Sequence, residues 1–207
     1  PPEAVQACVE EELALSSLEE PFSNAEHAPV YAGVDVGKSL HPSHISVFVQ
    51  APDRTLIMVH QEFLDHLDYR AQASHINRVI KHFNVTKCYY DSTRAELDDR
   101  GLSKRAHGQR FTANLKANMA LLLERRVYAE PEEAGIILCD DGRMIRQISA
   151  VKKDLQSVET SEGHGDSFWS IALAVKAAED GPAAVELGDV NELFGNAHRK
   201  VSLYLPG

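Results

Sequence analysis

Val30-Tyr31-Ala32-Gly33-Val34-Asp35-Val36-Gly37-Lys38 is a run of apolar and small residues interrupted by one carboxylate, with a glycine two residues to either side. Such a run predicts a strand over about 30–36. A carboxylate inside it is costly to bury unless something positive offsets its charge. Working outward, Lys38 to Ser43 reads as a turn and His44 to Gln50 as a second strand. A third strand follows over Thr55 to Phe63, after the turn Ala51-Pro52-Asp53-Arg54. Three strands joined this closely predict an antiparallel meander.

Upstream, residues 1–20 carry Val5, Val9, Leu13 and Leu18 at spacings that predict a helix. Downstream, a helix is expected over 65–83 with Leu67, Ala71, His75, Val79 and Phe83 on one face. A fourth strand, Lys87 to Asp91, ends on a second carboxylate. A short helix over 94–102, a short strand over 109–111 and a helix over 113–125 capped by Thr112 come next. Pro131 opens an expected helix reaching Ile148, which Asp140-Asp141-Gly142 would break or turn into a hairpin. A strand is expected within 150–160. A helix runs from Asp166 to about Ala177, and a final strand is expected at 200–205. Alternating helices and strands after a meander imply an α/β fold with a mixed sheet and helices on its faces.

The composition is that of a globular chain, with 43% hydrophobic and 25% charged residues. Cys8, Cys88 and Cys139 are odd in number and far apart, which argues against a disulfide framework and a cysteine zinc site. No apolar run reaches membrane-span length. A net charge of -10 speaks against broad nucleic-acid binding. Its distribution is uneven, because residues 1–27 hold seven acids and no Lys or Arg. Residues 100–126 hold seven Lys or Arg and a single acid, Glu124, so a basic strip survives in an acidic chain.

Three carboxylates stand out by position: Asp35 in the first strand, Asp91 ending the fourth, and Asp166 opening the late helix. If those two strands are neighbours, Asp35 and Asp91 lie side by side and Asp166 closes on them from a covering helix. Clustered carboxylates hold protons unless cations intervene. Oxygen ligands of this kind suit Mg²⁺ or Mn²⁺, and two ions roughly 3.5–4 Å apart serve phosphodiester hydrolysis by activating water and stabilising the departing oxygen. Plain roles compete: Asp91 before Ser92-Thr93 suits a turn, and Asp166 suits a helix cap.

Gly33-Val34-Asp35-Val36-Gly37, Tyr90-Asp91-Ser92-Thr93, Phe111-Thr112-Ala113-Asn114-Leu115-Lys116 and His164-Gly165-Asp166-Ser167-Phe168-Trp169-Ser170 together resemble the C-terminal nuclease domain of bacteriophage large terminase subunits. The resemblance spans about residues 30–178. It implies a ribonuclease-H-like fold and a metal-dependent endonuclease that cuts concatemeric double-stranded viral DNA during genome packaging. It maps Asp35, Asp91 and Asp166 onto the acids that bind Mg²⁺ or Mn²⁺. Many relatives carry two adjacent acids where this chain has Gly165-Asp166, and His164 is a candidate replacement ligand. Lys38, Arg94, Lys104, Arg105, Arg110 and Lys116 are candidate DNA contacts, against a plain reading as surface charge.

The expected division is an acidic helical tail or linker over 1–29, a nuclease domain over 30–180 and a C-terminal extension over 181–207. Ala32 to Ser39 superficially fits a phosphate loop. That motif needs a helix after it, whereas a strand follows here, so the packaging ATPase domain is expected outside this chain. The implied partners are DNA, that ATPase domain, the small terminase subunit and the procapsid portal, in the cytoplasm of an infected bacterium. The competing readings are a junction resolvase or transposase of the same fold, a non-catalytic packaging scaffold, and a sugar-kinase-like nucleotide binder, which would need a second domain.

Overall fold

The computed structural model describes residues 2–24, 27–37, 42–130, 133–152, 154–155 and 165–181. Lys38, His164, most of the expected strand at 150–160, the expected strand at 200–205 and nearly all of the C-terminal extension lie outside the described residues.

The meander is present. Strands β2 (Val30–Asp35), β3 (Ser43–Gln50) and β4 (Leu56–Leu64) pair antiparallel, with Asp35 opposite His44 and Gly33 opposite Ser46. Just past β2, Gly37 is held to the start of β3 by Ser43 Oγ, which accepts from Gly37 N (2.9 Å) and donates to Gln72 Oε1 (2.7 Å). Strand β5 (Lys87–Asp91) runs parallel to β2, and β6 (Ala106–Gln109) runs parallel to β5. On the other side of the meander, β7 (Ile136–Cys139) lies parallel between β4 and the two-residue β1 (Val9–Glu10). The seven-stranded order is β1-β7-β4-β3-β2-β5-β6. This is the expected mixed sheet.

Helices cover both faces, and strand alternation decides which residues meet which helix. Val30, Ala32, Val34, Ile45 and Val47 pack with Ala73, Ile76, Val79 and Ile80 of α2 (Tyr69–His82). Tyr31, Phe48, Met58 and Tyr89 face the opposite way. They join α1 (Pro2–Ala7), α3 (Ala113–Val127), α4 (Gly142–Ser149) and α5 (Asp166–Glu179). Helix α5 is buried on nearly every side, as a helix enclosed between a sheet and other helices must be. No helix among the described residues is long and apolar enough to cross a membrane.

Several boundaries differ from the sequence expectation. The helix expected over 1–20 ends at Ala7, because the backbone beyond it is recruited by the sheet: Leu138 N donates to Cys8 O (2.8 Å) and Ser16 N to Val59 O (2.7 Å). Helix α2 begins at Tyr69, where Asp68 caps it by accepting from Ala71 N, so Leu67 falls outside it and is exposed. Its buried face is Gln72, Ala73, Ile76, Val79 and Ile80, rotated from the face expected. The short helix at 94–102 is absent. Ala95, Asp99 and Gly101 take positive φ there, which breaks a right-handed helix. The short strand is β6, three residues earlier than expected. The single helix over 131–148 is instead a strand and a helix, split where Asp141 caps α4 through Met144 N (2.8 Å). Ile136 and Ile137 pair with β4 while Leu138 and Cys139 pair with β1, so strand pairing on both sides claims this apolar run.

Candidate metal centre

The ends of β2 and β5 define the site. Their parallel register sets Gly33 beside Tyr89 and Val34 beside Tyr90. One step further along stand Asp35 and Asp91, each the last residue of its strand. Alternation from Tyr31 and Tyr89 puts both carboxylates on the face covered by α5.

Helix α5 reaches that face through Gly33. A β-carbon at position 33 would lie 1.9 Å from Ser170 O and 2.5 Å from Ala174 N, so only glycine lets the helix backbone come this near. At the other end of the helix, a β-carbon on Gly181 would lie 2.4 Å from the Tyr31 ring. Helix and strand therefore run antiparallel, and the first turn of α5 comes down at the Asp35 end. Asp166 is the first residue of that turn and is 6% exposed; Asp35 is 8% exposed.

The electrostatics agree. Burial, then the charges of Asp166 and Asp91, push the Asp35 carboxyl well above the usual carboxylate range. The Lys116 ammonium and the Val36 N–H act in the opposite direction. Lys116 lies on α3 with Nζ 4.6 Å from the Trp169 ring centroid and 5.7 Å from that of Phe111. Two aromatic faces thus hold the cation near the acids.

The plain roles weighed for the acids are realised unequally. Asp91 does form a turn: Oδ1 accepts from both Thr93 N (2.8 Å) and Thr93 Oγ1. Thr93 Oγ1 in turn accepts from Phe111 N (3.0 Å), which ties this turn to the start of α3. Asp166 is not the cap. That position belongs to Gly165 at φ +88°, with no side-chain cap hydrogen bond. The left-handed backbone there suits glycine.

Beneath the acids runs a polar network that the sequence did not reveal. His44 is wholly buried. Its Nε2 faces Gln61 Oε1 (2.9 Å), and Gln61 Nε2 donates to Asp141 Oδ2 (3.1 Å). A carboxylate only accepts, so Nε2 carries the ring proton and Nδ1 accepts from Ser170 Oγ at 2.5 Å. The Ser167 carbonyl, 3.0 Å away, is the hydroxyl's longer alternative. Burial lowers His44 to about 4, against the favourable Gln61 bond and Asp141 charge, so the ring is neutral near pH 7. Alongside, Gln147 Oε1 accepts from Ser167 N (2.9 Å) and Ser167 Oγ (2.8 Å). Each of these polar residues looks like ordinary surface in the sequence. Only the alternation of His44 with Ile45 and Val47 hinted at an inward-facing side chain.

The candidate DNA contacts separate. Arg94 and Arg110 are exposed and follow β5 and β6, at the end where Asp91 stands. Lys104 and Arg105 precede β6 at the opposite end, and Arg105 Nη1 is engaged by Asn84 Oδ1 (2.8 Å) and Val85 O (3.0 Å). Among the described residues no group of three or more His, Cys, Asp or Glu side chains is arranged to hold an ion by itself. The fit of a divalent cation rests on donor chemistry and charge: hard carboxylate oxygens around a buried acid whose ionisation its neighbours oppose.

By sequence, no family model and no curated protein matches this chain. By structure, it superimposes on the large terminase nuclease from thermophilic phage G20c with a TM-score of 0.63 at 14% identity, over 84% of this chain and 95% of that one. The magnesium-bound form of that nuclease matches with a TM-score of 0.60 at 15% identity, over 84% and 94%. The nuclease domain of the Thermus phage P74-26 large terminase also gives 0.60 at 15% identity, over 84% and 92%. The HK97 bacteriophage large terminase gives 0.55 at 12% identity, over 86% of this chain and 43% of the longer one. At these identities the likeness is one of fold. The chain has the ribonuclease-H-like fold of large-terminase nuclease domains.

Proposed function

We propose that this chain is a divalent-metal-dependent endonuclease that cuts concatemeric double-stranded viral DNA during genome packaging. The observation that carries the reading is Asp35: a buried carboxylate at a strand end, with Asp91 and Asp166 close enough to raise its proton affinity and Lys116 close enough to lower it. The terminase-nuclease fold and the magnesium-bound relative support it.

In this reading Asp35, Asp91 and Asp166 hold two Mg²⁺ or Mn²⁺ ions. Bound there, the cations supply Lewis acidity to the attacking water and to the departing 3′ oxygen. Asp35 gives up its proton to become a ligand. Lys116 holds its ammonium, pinned over Trp169, toward a phosphate oxygen. Arg94 and Arg110 position the backbone of the duplex, while Lys104 and Arg105 lie too far along the sheet to reach the same phosphate. With a net charge of -10, the isolated chain binds DNA feebly and in a strongly salt-dependent manner. An ATPase domain, a portal or a small terminase subunit then holds DNA against the site, inside the infected bacterium.

Plasmid digestion with Mn²⁺ or Mg²⁺ tests the reading, with the parent compared to Asp35→Ala. The parent nicks and linearises plasmid and the variant does not. Equal cutting by both would remove Asp35 from the chemistry.

A further inference from the structure

Helix α5 starts without a side-chain cap at its N-cap residue. Gly165 contributes no side chain, and the helix carries no side-chain cap hydrogen bond. The first-turn N–H groups of a helix need acceptors. Here Gln147, from the neighbouring helix α4, supplies one. Its Oε1 takes both the Ser167 N–H and the Ser167 hydroxyl, and the whole side chain is 1% exposed. One turn further along α5, His44 holds Ser170. The two contacts grip the residues one and four places beyond Asp166, from α4 and from β3.

We propose that Gln147 is a positioning residue for the metal-binding acid Asp166. It replaces, from outside the helix, the acceptor that a capping side chain at position 165 would have supplied. Gln147 touches no reacting atom. It acts by fixing where the α5 first turn sits over Asp35, and His44 seconds it through Ser170. Asp141, which caps α4, is also the far end of the His44–Gln61 chain, so the helix bearing Gln147 is tied to the same network.

This proposal rests on Asp35 and Asp166 being metal ligands, and its test separates the two. Mn²⁺ affinity is measured by calorimetry at 15 °C on the parent, Asp35→Ala, Gln147→Met, Ser167→Ala and Val79→Ala. Met keeps the volume of Gln and removes the acceptor. Val79 is buried in α2 on the other face of the sheet, so Val79→Ala loosens the fold without touching the network. Gln147→Met is expected to bind Mn²⁺ about tenfold or more weakly, as outer contacts to metal ligands generally do when lost. Ser167→Ala, which loses one of the two bonds, shows a smaller loss, and Val79→Ala binds like the parent. Parent-like affinity in Gln147→Met overturns the positioning role while leaving the metal site standing. A matching loss in Val79→Ala overturns it too, since general loosening would then explain the effect. Parent affinity that survives Asp35→Ala overturns the metal site and the positioning role together. If Gln147→Met shows no cooperative unfolding, Ser167→Ala decides, and unchanged affinity there overturns the proposal.

Discussion

The carbonyl oxygen of Ser170 occupies the space that a β-carbon on residue 33 would need, with 1.9 Å between the two positions. Neither obstacle at that point, Ser170 O or Ala174 N, is a flexible side chain. Gly33→Ala must therefore push α5 off the sheet or bend β2. Overpacking of this kind costs about 3 kcal/mol or more. Urea unfolding checks the loss. Because the displaced helix carries Asp166, the variant is also expected to lose Mn²⁺ binding under conditions where it is still folded.

Asp35 makes the metal-free protein sensitive to alkali. Its folded-state affinity for the proton is raised, so its contribution is fully present below the ordinary carboxylate pKa and is lost as pH rises through the folded value. In EDTA the melting temperature of the parent is expected to fall, relative to that of Asp35→Asn, as pH rises above the ordinary carboxylate range. Adding Mg²⁺ restores it, since the cation stabilises the ionised form. Asp35→Asn should flatten the slope in EDTA and abolish the response to Mg²⁺. A Mg²⁺-dependent rise that persists in Asp35→Asn would place the cation elsewhere.

His44 acts at the acid side with the opposite slope. The ring is buried neutral and takes a proton only near pH 4, against 6.5 in the unfolded chain. Its contribution is complete above 6.5 and disappears as pH falls toward 4, by roughly 3 kcal/mol in all. Glu62, held down to about 2 by His60 and His75, adds its own loss only below its ordinary value of 4.5. Unfolding free energies at pH 7 and pH 5, taken as the difference between the parent and His44→Gln, separate this contribution from that of Asp35. His44→Gln is expected to be less stable at pH 7 and to lose less between the two.

Arg126 offers a contrast at the far end of α5. It is 5% exposed and donates to Glu179 Oε1 (2.6 Å) as well as to the carbonyl oxygens of Arg54 and Gly135. Arg126→Ala strands these acceptors and is expected to cost about 2–3 kcal/mol, a figure kept low because Glu179 is partly exposed. Glu179 lies thirteen residues along the helix from Asp166, roughly 20 Å at 1.5 Å per residue. Mn²⁺ affinity in the folded variant should be that of the parent. A large drop would mean that the whole helix, and not its first turn, sets the site.

The meander and its acid were readable because strand patterning is local. An apolar run ending on Asp35, then two more strands at turn distance, admits few other folds. Asp91 and Asp166 were readable only as positions in a set, since each also suits a turn or a cap, and Asp91 is in fact a turn former. Strand β7 was not readable. Ile136 to Cys139 is a short apolar run whose partners, Leu56 and Val9, are distant in sequence, and such a run looks equally like part of a helix. Strand β1 has two residues and no pattern at all. His44, Gln61 and Gln147 were missed for a different reason. A polar side chain declares its burial only through its partner, and these partners come from other elements.

The antiparallel seam between α5 and β2, closed at Gly33 and again where Gly181 meets Tyr31, works as a ruler. The carboxylate at position 166 stands four residues back along a rigid rod from the mark at Gly33, on the turn that Gln147 holds. A residue inserted within the rod, between Asp166 and Ser170, would swing that acid about 100° around the helix axis and carry it away from its partners.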